Sequence, residues 1–83
     1  MGTNDLFPFK IIGQVSSIMN VSKSGVFHTT SSTSDVPSSG NKYGVGVCFT
    51  PSSSIKMFIW ANNNQVFMKS IYDANDSGWM QLK

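Results

Sequence analysis

Residues 43–71 read YGVGVCFTPSSSIKMFIWANNNQVFMKSI, and this stretch predicts the fold. It contains three short runs rich in Val, Ile, Phe and Trp, which are typical of β-strands. PSS separates the first two runs, and NNN separates the last two. Because these joins are too short for a crossover helix, we expect the three strands to be antiparallel neighbours.

The first run, YGVGVCFT, has one bulky face and one nearly bare face, since strand side chains alternate. Gly44, Gly46 and Cys48 lie on the bare face; the other face carries Tyr43, Val45, Val47 and Phe49. Glycines inside a strand mark a place where a ring or another backbone comes close. We expect a neighbouring strand or a second subunit to provide that group.

The second run, SIKMFIWA, carries large apolar side chains on both faces. A strand of this kind is covered on both sides. In a sheet only a few strands wide, we expect the second cover to come from another copy of the chain. The predicted subunit contacts are Phe58, Met57 and Met68.

Composition favours one small all-β domain. An 83-residue chain has a thin core, and its single cysteine, Cys48, excludes an internal disulfide and a thiolate metal cluster. Arg and Glu are absent while Ser, Asn and Gly are abundant, which disfavours helices. The expected fold is a small antiparallel β-sheet or sandwich, and a partner subunit would stabilise it.

Charge and hydropathy exclude two classes of partner. The six basic residues are all lysines spread along the chain, and the net charge is only +2, which argues against nucleic-acid binding. No apolar run approaches the roughly 20 residues that span a bilayer, so we expect no membrane insertion.

The N-terminal part is predicted to be an arm. Pro8 disfavours a helix over residues 3–10, so an extended segment is expected there. Over residues 11–21 a helical apolar stripe competes with the helix-weakening Gly13, and a short helix and an extended segment both remain open. We therefore expect an arm or fibre linker over residues 1–20 and a β-domain over residues 21–83.

Turns and loops follow in the rest of the chain. SKSG predicts a turn before the strand VFHTT, and residues 31–42 form a polar loop long enough to be a binding element or a mobile one. The closing segment WMQLK is predicted to be a short strand with Trp79 and Leu82 pointing inward.

DANDSG at residues 73–78 matches the first half of a calcium loop, with oxygen ligands at alternate positions. Helices that would flank such a loop are not predicted. Asp and Asn in loops commonly bond nearby backbone, so an ordinary turn is expected.

No catalytic constellation is visible in the sequence. A general base needs a nucleophile and an orienting carboxylate within reach, and the only imidazole, His28, lies in a predicted strand. The four aspartates all fall in predicted arm or loop segments. Cys48 is most simply a small buried residue, and no glycine-rich phosphate loop is present. We expect no enzymatic activity, no cofactor and no metal.

Aromatic and amide side chains suggest a receptor contact. Aromatic faces stack on sugar rings, and neighbouring amides bond hydroxyl groups. The same aromatic residues also fit a core or a subunit interface. The predicted ligand or receptor contacts are Trp60, Asn62, Asn63, Asn64 and Tyr72.

The order of several short motifs resembles the knob-type tip domains of phage tail fibres, including the pyocin knob. The resemblance covers about residues 20–83 and is carried, in order, by Asn20, Ser24-Gly25-Val26-Phe27, Val36-Pro37, Tyr43-Gly44-Val45-Gly46-Val47, Met57 to Met68, and Gly78-Trp79. It implies a homotrimeric virion domain at the distal end of a fibre. Such a domain contacts a host-surface glycan or protein receptor, or caps and trimerises the fibre.

Two alternatives belong to other functional classes. One is a carbohydrate-binding module of a larger enzyme, which the aromatic and amide residues would serve. The other is a purely structural domain that keeps three chains in register.

Overall fold

A computed structural model describes residues 10–83, which form one open sheet of seven strands. The spatial order is β1-β2-β3-β4-β5-β6, and β7 also pairs with β5. β1 is parallel to β2, and every other pairing is antiparallel. The strands are β1 Lys10–Gln14, β2 Gly25–Thr29, β3 Gly44–Ser52, β4 Ile55–Ala61, β5 Val66–Tyr72, β6 Asn75–Asp76 and β7 Met80–Gln81.

The predicted central meander is confirmed: β3, β4 and β5 are consecutive antiparallel neighbours. The all-β class is confirmed as well. The sheet is mixed, because residues 15–24 return the chain to the same end of the sheet and so align β1 parallel to β2. In the described residues the second layer is made of loops, so the domain is a covered sheet and not a sandwich.

Residues 10–20 combine both structures that the sequence left open. Lys10–Gln14 is a strand, and Ile18–Asn20 is a single 3-10 turn. Ile18 has no exposed surface and belongs to the core, so the packed domain begins before residue 21. The extended arm predicted over residues 3–10 lies, except for Lys10, outside the described residues.

One face of the sheet, called here the inner face, carries the core. Its buried side chains come from β2, β3, β4 and β5, and Ile18 and Val21 pack on them from the β1–β2 connection. The Phe27 and Phe58 rings meet edge to face, with centroids 6.4 Å apart. The buried apolar residues of the strands are Phe27, Cys48, Phe58, Trp60 and Phe67.

The strand glycines face this core. A Cβ on Gly46 would lie 2.4 Å from the Phe27 ring, and a Cβ on Gly44 would lie 2.6 Å from the Trp60 ring. The predicted close approach is therefore confirmed, and neighbouring strands of the same chain provide the rings. The bare face of β3 is the buried one because its neighbours fill the space above it.

Gly46→Ala is expected to destabilise the domain by about 1–3 kcal/mol, since the new methyl group overlaps the buried Phe27 ring. The measurement is the urea midpoint at an unchanged m-value. Gly40→Ala is the matched control, because its Cβ would meet only the Ser38 Oγ at 3.8 Å, and a change within about 0.5 kcal/mol is expected. Equal losses in the two variants would contradict the packing described here.

Asp35 fastens the two loops that cover the inner face. Its Oδ1 accepts from the Ile18 amide at 2.6 Å, and its Oδ2 accepts from the Met19 amide at 2.9 Å and from the Ser17 hydroxyl at 3.0 Å. In the same region Thr33 is buried and donates its hydroxyl to the Val15 carbonyl at 2.7 Å. The loop of residues 31–42 is thus a structural lid on the core.

The C-terminal segment closes against β5. Asp73 and Ala74 both have positive φ, which is typical of a two-residue hairpin turn. The DANDSG segment is therefore an ordinary β5–β6 turn, at Asp73-Ala74, followed by the short strand β6. Trp79 is half-buried against the core, 6.5 Å from the Phe58 ring. Leu82 is 54% exposed, so the prediction that it points inward was wrong.

Candidate functional site

The second face of the sheet, called here the outer face, is the candidate functional surface. Its side chains alternate with those of the core, and none of the residues named below is fully buried. The exposed members include Val45, Phe49 and Met80. The apolar residues of the outer face are Ile11, Val26, Val45, Val47, Phe49, Ile55, Met57, Ile59, Ala61, Val66, Met68, Tyr72 and Met80.

The strand register aligns part of this face into one apolar row across the whole sheet. Directly opposed residues on neighbouring strands have Cβ atoms about 4.5–5.5 Å apart, so their side chains touch. The row is therefore continuous from one edge of the sheet to the other. In spatial order it contains Ile11, Val26, Val47, Ile59, Met68 and Met80.

The outer face of the described strands has no lysine and no aspartate. The charged strand residues are Lys10, Lys56, Lys69 and Asp76, and the register places all of them on the inner face. An antiparallel sheet with one face in water normally places polar residues on that face. In this sheet the outer face carries polar residues such as Gln14, His28 and Ser70 but is mostly apolar, which is typical of a surface that contacts another molecule.

Lys69 is tolerated on the inner face because three groups compensate its charge. Its Nζ lies 3.0 Å from Asp76 Oδ2 and 3.4 Å from the Met19 sulfur. It also lies 5.4 Å from the centre of the Trp79 ring. A paired ammonium group can remain charged at the margin of a core.

The same ion pair makes stability depend on acid. The Gly78 amide and then Lys69 stabilise the carboxylate and lower the pKa of Asp76 below its ordinary value. A lowered folded-state pKa contributes stability at higher pH, which is lost as the pH falls through that pKa. We expect the unfolding temperature to decline as the pH is lowered below about 4, where aspartate ordinarily titrates. The decline should be less steep in Asp76→Asn.

Thermal unfolding between pH 7 and pH 2 measures this effect. Asp73→Asn is the matched control, because it removes the same charge from the same β5–β6 hairpin and keeps a residue type that tolerates the positive φ of position 73. It is expected to retain the acid-dependent decline of the wild type. An identical decline in Asp76→Asn would show that Asp76 has no part in it.

The structure corrects two of the predicted contact residues. Trp60 is fully buried, and its Nε1 donates to the Thr29 hydroxyl at 2.8 Å. That hydroxyl donates in turn to the Lys42 carbonyl at 2.7 Å. Phe58 is also fully buried. Trp60 therefore contacts no receptor and Phe58 no other subunit, whereas Met57 and Met68 are half-buried on the outer face.

The remaining predicted receptor residues lie at opposite ends of one hairpin. Asn62, Asn63 and Asn64 form the β4–β5 turn, while Tyr72 is the last residue of β5. Seven strand residues separate the two groups by about 20 Å. The structure therefore does not bring them into one site.

In the asparagine turn, Asn62 holds the turn together, whereas Asn63 and Asn64 are exposed to solvent. Asn62 Oδ1 accepts from the Gln65 amide at 2.8 Å, and its Nδ2 donates to the Asn41 carbonyl at 2.9 Å. Asn63 and Asn64 are exposed, and the exposed Asn41 donates its Nδ2 to Asn63 Oδ1 at 3.0 Å. As receptor contacts, Asn63, Asn64 and Tyr72 stay predictions.

The titratable groups suited to catalysis lie apart. His28 is exposed on the outer face, whereas Cys48 is buried on the inner one. Burial raises the pKa of the Cys48 thiol, although Lys56 opposes the shift, so the thiol is a poor nucleophile. Across residues 10–83 no three His, Cys, Asp or Glu side chains cluster as metal ligands.

Sequence reasoning missed two features. It recognised apolar residues on both sides of β4 but placed Phe58 in the subunit contact, because alternation alone does not reveal which face is covered. It also missed Asp35, whose partners lie 16 to 18 residues earlier in the chain. The apolar residues Val45, Val47 and Phe49 on one side of β3, like those on both sides of β4, are the sequence signals for the outer face.

Comparisons with known proteins assign no family. No protein-family model, curated protein or solved structure matches the chain. Among the described residues, no helix is long and apolar enough to cross a membrane.

Proposed function

We propose that this chain is a non-catalytic tip domain of a phage-type tail fibre. In this role it trimerises or caps the fibre and contacts a glycan or protein receptor on the host-cell surface. The observation that carries the proposal is the outer face, which is mostly apolar and has no lysine or aspartate on the described strands, in a domain whose core lies on the opposite side.

The size of the outer face supports an assembly role. The four long strands β2 to β5 span about 19 Å by 23 Å, or about 440 Å² in projection, before β1 and β7 are added. Monomeric proteins rarely expose apolar patches beyond a few hundred Å² unless the patch is functional. Standard interfaces bury about 800 Å² per partner, which is of the same order.

Exposed amide groups support the receptor role. Asn63 and Asn64 lie at one end of the hairpin, where the Asn41 side chain donates its Nδ2 to Asn63 Oδ1 at 3.0 Å. Amide groups bond sugar hydroxyls. This end is therefore suited to a hydroxyl-rich ligand without using the outer face.

A purely structural trimerisation domain is the second candidate, because the same outer face favours it. The carbohydrate-binding module of a larger enzyme is less well supported. Its leading aromatic residue, Trp60, is buried in the core.

Sedimentation combined with cell binding tests the proposal. At micromolar concentration we expect a particle about three times the 9.1 kDa chain mass that binds bacterial cells. Binding should be lost in the double variant Asn63→Ala/Asn64→Ala without a change in mass. A compact monomer would overturn the assembly role, and a trimer that binds no cells would favour the structural domain.

A further inference from the structure

We propose that Lys10 and Lys23 belong to a second ligand site, which takes a small saccharide carrying an acidic group. The site, called here the lysine groove, is bordered by β1, the β1–β2 connection and the end of β3. It goes beyond the proposed function, because it requires neither the outer face nor an assembly of copies. Lys23 lies just before β2, at the opposite end of the sheet from the asparagine turn that follows β4.

The lysine groove consists of two adjoining depressions that share Ser22 and Lys23. The first has a volume of about 320 Å³ and lies along β1 and the chain that follows it. The second, of about 330 Å³, is also bordered by Lys10, Ser24 and Thr50. The Thr50 amide donates to Ser24 Oγ at 3.0 Å, which holds this turn against β3. Ligand pockets begin at about 300 Å³, so each depression has room for a small ligand.

The fold gathers at this groove lysines that are scattered in the sequence. Lys10 and Lys23 border the same depression although they come from different segments. Lys56 comes from β4, and its Nζ donates at 3.2 Å to the carbonyl of Val21, which lines the first depression. Within residues 10–83 none of these three ammonium groups forms an ion pair. Cations gathered in this way attract an anionic ligand.

Asp35 does not neutralise the groove. Its carboxylate accepts from the Ser17 hydroxyl, which lines the first depression, but Asp35 itself borders neither depression. Its two oxygens accept three hydrogen bonds from residues 17–19. They are therefore directed at the 3-10 turn and not at the lysines.

Uncharged donors and an apolar floor favour a saccharide over a small inorganic anion. The side chains of Asn20 and Ser22 are exposed and have no hydrogen-bond partner in the described part of the chain. Val15 and Val21 line the same depression and pack with the core. Amides and hydroxyls bond sugar hydroxyls, and apolar side chains contact the C–H groups of the ring. An inorganic anion would use the lysines alone.

Titration of the full chain with glucuronate and with glucose, followed by nuclear magnetic resonance, tests the proposal. The two sugars differ at one carbon, which carries a carboxylate in glucuronate and a hydroxyl group in glucose. Glucuronate should shift the amide signals of Ser22, Lys23 and Ser24 at millimolar concentration, and glucose should bind at least about 5-fold more weakly. Equal binding of the two sugars, or no shift with either, would overturn the proposal.

Two phosphate probes identify what the groove recognises. Glucose 6-phosphate keeps the sugar ring and replaces the carboxylate by a phosphate, so its binding would support the site and widen the class of acidic group. Inorganic phosphate has the charge without the ring and should bind more weakly than glucuronate. Inorganic phosphate that shifts the same amides at the same or lower concentration would overturn the assignment to a saccharide.

Lys23→Gln tests the cation, since it removes the charge and keeps a long polar side chain. It should weaken glucuronate binding at least about 5-fold and leave glucose binding unchanged. Lys83→Gln is the matched control, because Lys83 is exposed and bonds Val66 only through its backbone, and it should bind glucuronate as the wild type does. Equal affinities in the two variants would overturn the proposal. Lys10→Gln provides the same test if Lys23→Gln does not fold.

The outcomes separate this site from the proposed function. A chain that sediments as a monomer and binds glucuronate would overturn the assembly role and support the lysine groove. A trimer that binds cells but shows no shift with glucuronate would overturn only the lysine groove.

Discussion

Phe58→Ala is expected to cost about 3–5 kcal/mol of unfolding free energy, which is the range for removing a buried phenylalanine ring. Phe58 has no exposed surface and contacts the rings of Phe27 and Trp79. Domains of this size have only about 4–12 kcal/mol in total at 0.05–0.15 kcal/mol per residue. The variant should therefore be largely unfolded or close to its transition at 37 °C.

Urea denaturation measures the effect, and the neighbouring residue provides the control. Met57 precedes Phe58 on the same strand but points to the outer face, where it is half-buried. In a dissociated subunit Met57→Ala should cost less than half as much as Phe58→Ala. Comparable losses in the two variants would show that the core lies on both sides of the sheet.

Asp35→Ala is expected to cost about 2–4 kcal/mol, because it removes three hydrogen bonds to a carboxylate that joins two loops. Bonds to charged groups contribute more than neutral ones, and without Asp35 the amides of the 3-10 turn lose their acceptors. We expect the Ile18 and Met19 amides to exchange hydrogen much faster in the variant.

Asp35→Asn serves as the graded control for that experiment. Asparagine retains one oxygen acceptor in place of two and carries no charge. The unfolding free energy of Asp35→Asn should therefore lie between that of the wild type and that of Asp35→Ala. If both amides in Asp35→Ala exchanged hydrogen at the wild-type rates, Asp35 would not be the residue that holds the two covering loops together.

The meander was predictable because its signals are local. Alternating apolar runs and the Pro, Ser and Asn residues between them define β3, β4 and β5, and the structure confirms each strand. The parallel pairing of β1 was not predictable in this way. It depends on contacts between segments far apart in sequence, such as the bond from the Val15 amide to the His28 carbonyl.

The candidate site was only partly predictable, for a similar reason. The sequence shows that β4 is apolar on both sides, yet it does not show which side the lid covers. Gly44 and Gly46 look like an empty surface until the rings of Trp60 and Phe27 are seen lying on them. The sequence therefore predicts Trp60 and Phe58 as surface contacts, whereas in the structure both are buried. The alternate residues of β4, Met57 and Ile59, face outward.

The loop lid also determines where the chain tolerates engineering. In most β-domains the longest loop is the natural place to graft a foreign peptide, but residues 31–42 here close the core through Thr33, Asp35 and Ser38. The short turns at Ser53-Ser54 and Asp73-Ala74 are exposed and bury nothing. A display library built on this scaffold should diversify those two hairpin tips and leave its longest loop unchanged.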